Sequence, residues 1–266
     1  MKINYIVSVC CKKDLEVWKI ASHEIIKNIE ASNYLVIVPD DEFSLFKKYS
    51  PSSYLIEKES CLLQSTTLKS IAARMPKNNV SRAGWYYQQL LKISALESLA
   101  MEPEGLILIW DADTIPLRNI YFHNNGRLVY YISPEFHQPY FNATLKLLNI
   151  QKMVDFSFIA QCFVMKKKWV EEFLSQIESN SNTDWATAIL DATDLHEEAG
   201  FSEYETLGSW LLTTHSSEMI FSRSPWERFG NSLCGLNGLS QFKQRNPLVD
   251  FISFESWDCN GSSIPN

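Results

Sequence analysis

Short apolar runs recur along this chain, each too brief for a buried helix: INYIVSVC at 3–10, YLVIV at 34–38 and LILIW at 106–110. Near-continuous apolar runs of this length are what strands covered on both faces require. Pro39 stops the second run, and SYLIEK at 53–58 reads as a further strand. Between the first two, Leu15, Trp18, Ile20, Ile25, Ile26 and Ile29 fall at helical spacing. Strands separated by helical segments predict an α/β fold: a mixed, mostly parallel central sheet flanked by helices. A long helix is expected over 85–100, after Gly84 and before MEPEG. Further strands are expected at 127–133 and 155–168, the latter feeding a helix at 169–177. Helices are also expected near 185–191 and over 201–215, and the remainder, rich in Gly, Asn, Ser and Pro, reads as loops and a tail.

With 266 residues, 45% of them apolar, the chain can close one large core, so a single domain is expected. Its net charge of −7 gives no general attraction to a nucleic-acid backbone, and no nucleic-acid partner is expected. Six cysteines show no CxxC or CxxH spacing, and the N-terminus lacks the pattern of a secretory signal. No stretch reaches the roughly 20 apolar residues that span a bilayer. A reduced, cytoplasmic protein is the expectation, with peripheral association at the inner face of the membrane left open and the cysteines acting as small hydrophobes.

The run at 106–110 ends in Asp111-Ala112-Asp113, followed by Thr114, Pro116 and Arg118. Carboxylates two residues apart face the same way in an extended segment and converge in a turn. Ligands of open α/β sheets gather at the carboxyl ends of strands. Hard oxygen donors there suit Mg²⁺ or Mn²⁺, with a substrate phosphate completing the coordination. The competing reading is a solvated strand end with Asx-type turns.

Three blocks extend this pattern: RAGWYYQQLLK at 82–92, WDADTIPLRN at 110–119 and FSEYETLG at 201–208. Together and in this order they resemble the bacterial DUF6492 group, which is similar to glycosyltransferases of the GT-A fold, whose DxD motif holds a divalent ion against a nucleotide-sugar diphosphate. The resemblance runs from the first strand to about residue 215. It implies a nucleotide-sugar-binding half over 1–120 and an acceptor-binding half over 121–266. The implied reaction moves a sugar from a UDP- or GDP-linked donor to a hydroxyl of a saccharide or glycolipid acceptor, as in surface polysaccharide synthesis.

The candidate residues divide by role. Asp111 and Asp113 would hold the ion, and a late histidine of such enzymes corresponds loosely to His215. Asp40, in PDDE at the end of the second strand, is a candidate for the base or ribose, or equally a strand-ending turn. Arg82, ahead of the long helix, is a candidate phosphate ligand or a helix anchor. Gln88 and Gln89 are candidates for polar readout, since a buried amide must be paired. Glu203, which the resemblance favours over Glu205, is the first choice for the base that deprotonates the acceptor, with Asp194 and Asp191 of DATD as secondary acidic candidates and His137 another. Gly208 would permit a close approach. Two rivals remain. Asp111, Asp113 and Thr114 also satisfy the DxDx[TV] signature of haloacid-dehalogenase-like phosphatases, with Asp111 as nucleophile and Asp113 as acid/base. A non-catalytic nucleotide- or carbohydrate-binding protein is the other.

Overall fold

The computed structural model describes residues 2–260. The chain opens with β1 (Ile3–Val9), α1 (Leu15–Asn28), β2 (Ala31–Val38), α2 (Phe43–Tyr49), β3 (Tyr54–Lys58), α3 (Leu68–Arg74), α4 (Ala83–Ser98) and β4 (Leu106–Trp110). It continues through β5 (Thr114–Pro116), β6 (His123–Asn124), β7 (Arg127–Tyr131), α5 (Gln138–Leu148), β8 (Cys162–Lys166), α6 (Lys167–Ser181), α7 (Trp185–Ala192) and α8 (Glu203–Thr214). The final elements are β9 (Met219–Ser222), α9 (Gly230–Leu233), α10 (Gly235–Arg245) and β10 (Phe251–Ser253).

The central sheet has the order β3-β2-β1-β4-β8. Its first four strands are parallel, and β8 runs antiparallel against β4, Leu106 opposite Lys166 through Trp110 opposite Cys162. Every residue of β4 is buried, which is why its sequence is an unbroken apolar run. The chain winds outward from β1 to β3, then crosses back to β4. Right-handed crossovers in opposite directions carry α1 and α2 over one face and α3 and α4 over the other. The reversal falls between β1 and β4, and the crevice at the carboxyl ends of these two strands is the topological switch point where such sheets bind ligands. On the first face, Trp18 of α1 packs edge-on against Tyr54 at 5.0 Å and tilts against Phe46 of α2.

Two small sheets flank the main one. Asn124 pairs with Arg127 across Asn125 (φ 48°) and Gly126 (φ 81°), so the NG dipeptide makes the two-residue hairpin turn that needs positive φ at both positions. Strand β7 also pairs in parallel with β9. Strand β10 returns from near the end of the chain to pair antiparallel with β5, Ser253 opposite Thr114 and Phe251 opposite Pro116.

Several expectations need correction. The strand expected over 155–168 is confined to β8, because Ser157 bridges Ser133 and the Phe158 N–H goes to the Glu205 carboxylate instead of a neighbouring strand. Helix α5 is an addition to the expected elements; it has a proline in its first turn and closes on Asn149 in the left-handed conformation, φ 57°. The stretch expected as loops contains α9, α10 and β10, with Leu236, Leu239 and Phe242 of α10 at helical spacing and packed on the core. The last residues of the expected tail, 261–266, lie outside the described residues. Among the cysteines, Cys10 and Cys162 are buried, Cys11 and Cys234 partly so, and Cys61 is exposed, against expectation. No described helix is long and apolar enough to cross a membrane.

Candidate functional site

The turn after β4 is fixed by several backbone hydrogen bonds. Ser8 donates its hydroxyl to the Trp110 carbonyl at 2.7 Å, and the Asp111 N–H donates to the Gln161 carbonyl at 2.9 Å. Thr114 N–H closes the turn on the Asp111 carbonyl, and Phe254 N–H donates to the Asp113 carbonyl at 2.8 Å. Gln161 itself adopts φ 61°, a left-handed conformation that costs a non-glycine residue energy and tends to mark functional sites.

The two aspartates meet different surroundings. Asp111 Oδ1 lies 2.5 Å from Lys92 Nζ and accepts the Tyr204 hydroxyl at 2.6 Å. The same ammonium lies 2.7 Å from Glu203 Oε1. Burial by itself would lower the Lys92 pKa, but the adjacent carboxylates outweigh it and hold the lysine above its ordinary value. One cation thus serves two carboxylates. Among the described residues Asp113 has no such partner: its carboxylate meets the hydroxyls of Thr114 at 3.3 Å and Ser253 at 3.4 Å, both long contacts. Burial, then the charges of Glu255, Asp111 and Asp14, push it up to about 8, with Lys92 only partly offsetting them.

Asp14, between β1 and α1, is also buried and raised, by burial first, while Lys13 lowers it and Asp111 raises it. Glu255 is better compensated: Arg228 Nε lies 2.5 Å from one of its oxygens, and Gln161 donates its amide at 2.7 Å. Arg228 is shared with Glu135. The crevice therefore carries more buried negative charge than its cations neutralise. Hard oxygen donors with uncompensated charge fit a divalent cation. Among the described residues, however, no three His, Cys, Asp or Glu side chains are grouped closely enough to hold an ion unaided.

The other sequence candidates fall in distinct places. Gln88, half-buried, reaches the Val9 carbonyl at the end of β1 at 3.4 Å, on the crevice side. Gln89 turns inward instead. Its Oε1 accepts the Glu203 N–H at 3.0 Å, and its buried Nε2 has no partner among the described residues. Asp40, at the end of β2, accepts from the Ser60 hydroxyl at 2.6 Å and the Ser60 N–H at 3.2 Å, which lower its pKa. It lines a cleft of about 500 Å³ with Glu59, Gln64, Lys69 and Tyr87. Glu59 there is pushed up to about 7 by burial and then by the charges of Asp40, Glu42 and Asp41. The ends of β2 and β4 are two strand spacings apart, about 10 Å.

Glu203, His215 and Asp194 stand elsewhere than the sequence suggested, and Arg82 takes the anchoring one of its two readings. Glu203 is sealed in the core at the start of α8; burial raises its pKa, Lys92 lowers it and Asp111 raises it. It braces Lys92 and faces no open cleft. His215 ends α8, about 18 Å from Glu203 at 1.5 Å per residue. There its Nε2 meets Glu172 at 2.8 Å and its ring stacks on Trp169 at 4.7 Å, so the fold does not bring it to the aspartates. Arg82 donates through Nε to the Glu198 carbonyl at 2.8 Å and lies over the Trp85 ring, anchoring the loop before α8. Asp194 is exposed and caps that loop by accepting the His196 N–H at 2.9 Å. Gly208 does permit a close approach, but to protein: a Cβ there would sit 2.1 Å from Phe158 Cγ.

Sequence reasoning missed Lys92, Tyr204, Asp14, Gln161, Ser253 and Glu255. Lys92 carried a signal, since a lysine between Leu91 and Ile93 on an otherwise apolar helix face calls for a buried counter-charge. Glu255 carried none, because only tertiary folding brings β10 to β5.

A family profile described as a family of unknown function (DUF6492) matches residues 2–226. No curated protein matches the chain. The matched span holds Asp14, Lys92, Asp111, Asp113, Glu203 and Tyr204, while Arg228, Ser253 and Glu255 lie beyond it.

Proposed function

The chain belongs to the DUF6492 family of unknown function, and from that premise and the geometry of its crevice we propose that it is a metal-dependent glycosyltransferase. In this reading a sugar passes from a UDP- or GDP-linked donor to a hydroxyl of a saccharide or glycolipid. The observation that carries it is Asp113: a carboxylate without a cationic partner among the described residues, beside Glu255, Asp111 and Asp14, at the switch point of a mostly parallel sheet. Mn²⁺ or Mg²⁺ bound there would neutralise the diphosphate leaving group.

The chain's own residues divide the remaining work. Asp113 and Asp111 would hold the ion, with the donor's phosphates completing its coordination. Lys92 and Tyr204 fix the Asp111 carboxylate, so its orientation is set before the donor arrives. Asp40 and Tyr87 offer the nucleoside a carboxylate and an aromatic face in the cleft beside β2 and β3. Gln88 lies at the end of β1, between that cleft and the aspartates, where an amide can meet ribose or phosphate. Glu203 is a positioning residue that holds Lys92. With Glu203 sealed and Asp194 serving its own turn, the acceptor's proton would leave on the departing diphosphate.

A GT-A-like fold is part of the same proposal, supported by the strand order and by the carboxylates at the β1/β4 crevice. The phosphatase reading has less support, because an attacking Asp111 would have its Oδ1 drawn to both Lys92 and Tyr204, which lowers its nucleophilicity. Calorimetric binding of UDP, GDP and CMP with and without Mn²⁺ tests the proposal. Metal-dependent binding of one nucleotide, abolished in Asp113→Asn, is expected. Binding indifferent to metal and to that substitution would refute it, and turnover of a phosphomonoester without nucleotide would favour the phosphatase.

A further inference from the structure

A second cleft opens beyond the far end of β5 from the aspartates. After β5 the chain runs back along α1: Asn28, the last residue of α1, donates its amide to the Pro116 carbonyl at 3.3 Å and accepts the Ile120 N–H on its own carbonyl at 3.0 Å. Because α1 starts beside Asp14 and ends at Asn28, the segment at 117–121 reaches the amino end of the sheet. An extended path from Asp113 to Arg118 covers about 16 Å. The cleft has a volume of about 440 Å³ and is lined by Arg118, Asn119, Tyr121, Tyr131, Leu248 and Asp250, among others.

Its chemistry is specific. Asp250 is buried, with Oδ2 accepting the Tyr131 hydroxyl at 2.5 Å and Oδ1 lying 3.5 Å from Arg118 Nε. The Arg118 side chain is half exposed, so a guanidinium edge faces the opening. One arginine beside one aspartate leaves these charged walls neutral overall, which disfavours a phosphate or a metal ion. At the rim stand two of the most exposed large apolar side chains, Tyr121 at 69% and Leu248 at 68%. An exposed ring and an exposed aliphatic side chain beside an oriented carboxylate, a guanidinium and an amide form a two-natured surface. It matches a ligand with C–H faces to stack and a fringe of hydroxyls to hydrogen-bond.

We propose that this cleft is a second saccharide-binding site, distinct from the aspartate pair, with Tyr121 as stacking platform and Asp250, Arg118 and Asn119 as hydroxyl partners. The site stands without the transferase reading. Combined with it, a length of glycan reaching beyond the reacting end would be held here.

Saturation-transfer NMR with maltose, lactose and N,N′-diacetylchitobiose, followed by titration of any binder, tests the proposal. At least one disaccharide should bind the wild type, bind Asp113→Asn equally, and bind Tyr121→Ala about tenfold more weakly, with a parallel loss in Arg118→Ala. Both test residues are solvent-exposed, and circular dichroism of the variants would verify folding. The proposal is overturned if none of the three sugars binds, if Tyr121→Ala binds as well as wild type, or if binding disappears in Asp113→Asn. Displacement of the sugar from wild type and Asp113→Asn alike by uridine or guanosine would reassign the cleft to a nucleoside and overturn it as well. None of these outcomes depends on metal-supported nucleotide binding, so this site and the proposed activity succeed or fail separately.

Discussion

The Lys92 ammonium sits 2.5 Å from Asp111 and 2.7 Å from Glu203, joining the turn after β4 to the first residue of α8 through a single buried charge. Removing it strands two carboxylates in the core. Lys92→Met should cost about 3–5 kcal/mol of unfolding free energy, measured by urea denaturation, and Glu203→Gln in the same chain should restore part of it. Because the folded pKa of Lys92 is raised, its contribution is complete below the unfolded value of about 10.4 and is lost only as pH climbs through the higher folded value. The penalty should therefore be the same at neutral and mildly alkaline pH.

Asp113 predicts a loss in the same direction but in a lower pH window. Its folded pKa of about 8 exceeds the unfolded carboxylate value of about 3.9, so the folded state holds the proton more tightly. The associated stability is full below the unfolded value and lost as pH rises through the folded one. Asp113→Asn should flatten this slope and make the protein more stable than wild type above about pH 8, by as much as about 5 kcal/mol. Mn²⁺ should stabilise the wild type most at high pH, where it competes with fewer protons, and should leave the variant unaffected. Equal slopes for the two proteins would show that Asp113 ionises without penalty.

Gly208 lies within α8 where Phe158 covers it, and a methyl group would stand 2.1 Å from the ring. Helix propensity favours alanine over glycine by about 1 kcal/mol, but overpacking costs about 1–3 kcal/mol. Since the collision is with a fully buried ring, Gly208→Ala should destabilise the protein, and Phe158→Leu should relieve part of the loss. A Gly208→Ala protein more stable than wild type in urea would mean that the ring has room to move.

Much of this arrangement is legible along the chain because its cause is local. Strand β4 is buried on both faces, so an unbroken apolar run announces it, and a parallel sheet delivers the residues just past that run to its ligand-binding edge. Asp111 and Asp113 stand out for that reason. Glu203 is legible as a residue but not as a role: sequence cannot say that Lys92, two turns into the core side of α4, occupies its carboxylate. His215 fails for a geometric reason, since a helix that starts at the site must end far from it. Asp14, Ser253 and Glu255 depend on the β1-to-β4 juxtaposition and on β10 returning to β5, and no local periodicity encodes either.

Glu255 raises Asp113 through charge and is itself held by Arg228 and Gln161. Replacing it by glutamine keeps the shape and two of the hydrogen-bonding atoms' positions while removing one negative charge from the neighbourhood. The Asp113 titration midpoint should then move below its wild-type value of about 8, visible in the carboxyl carbon resonance of labelled protein. Mn²⁺-supported nucleotide binding should weaken in the same variant, by about tenfold or less, because the cation loses a favourable field without losing a ligand. If Glu255 were instead a direct ligand, Glu255→Gln would abolish metal-dependent binding as completely as Asp113→Asn does. An unchanged Asp113 midpoint would mean that Arg228 already neutralises Glu255, and the segment after residue 226 would then contribute packing to the crevice and no charge.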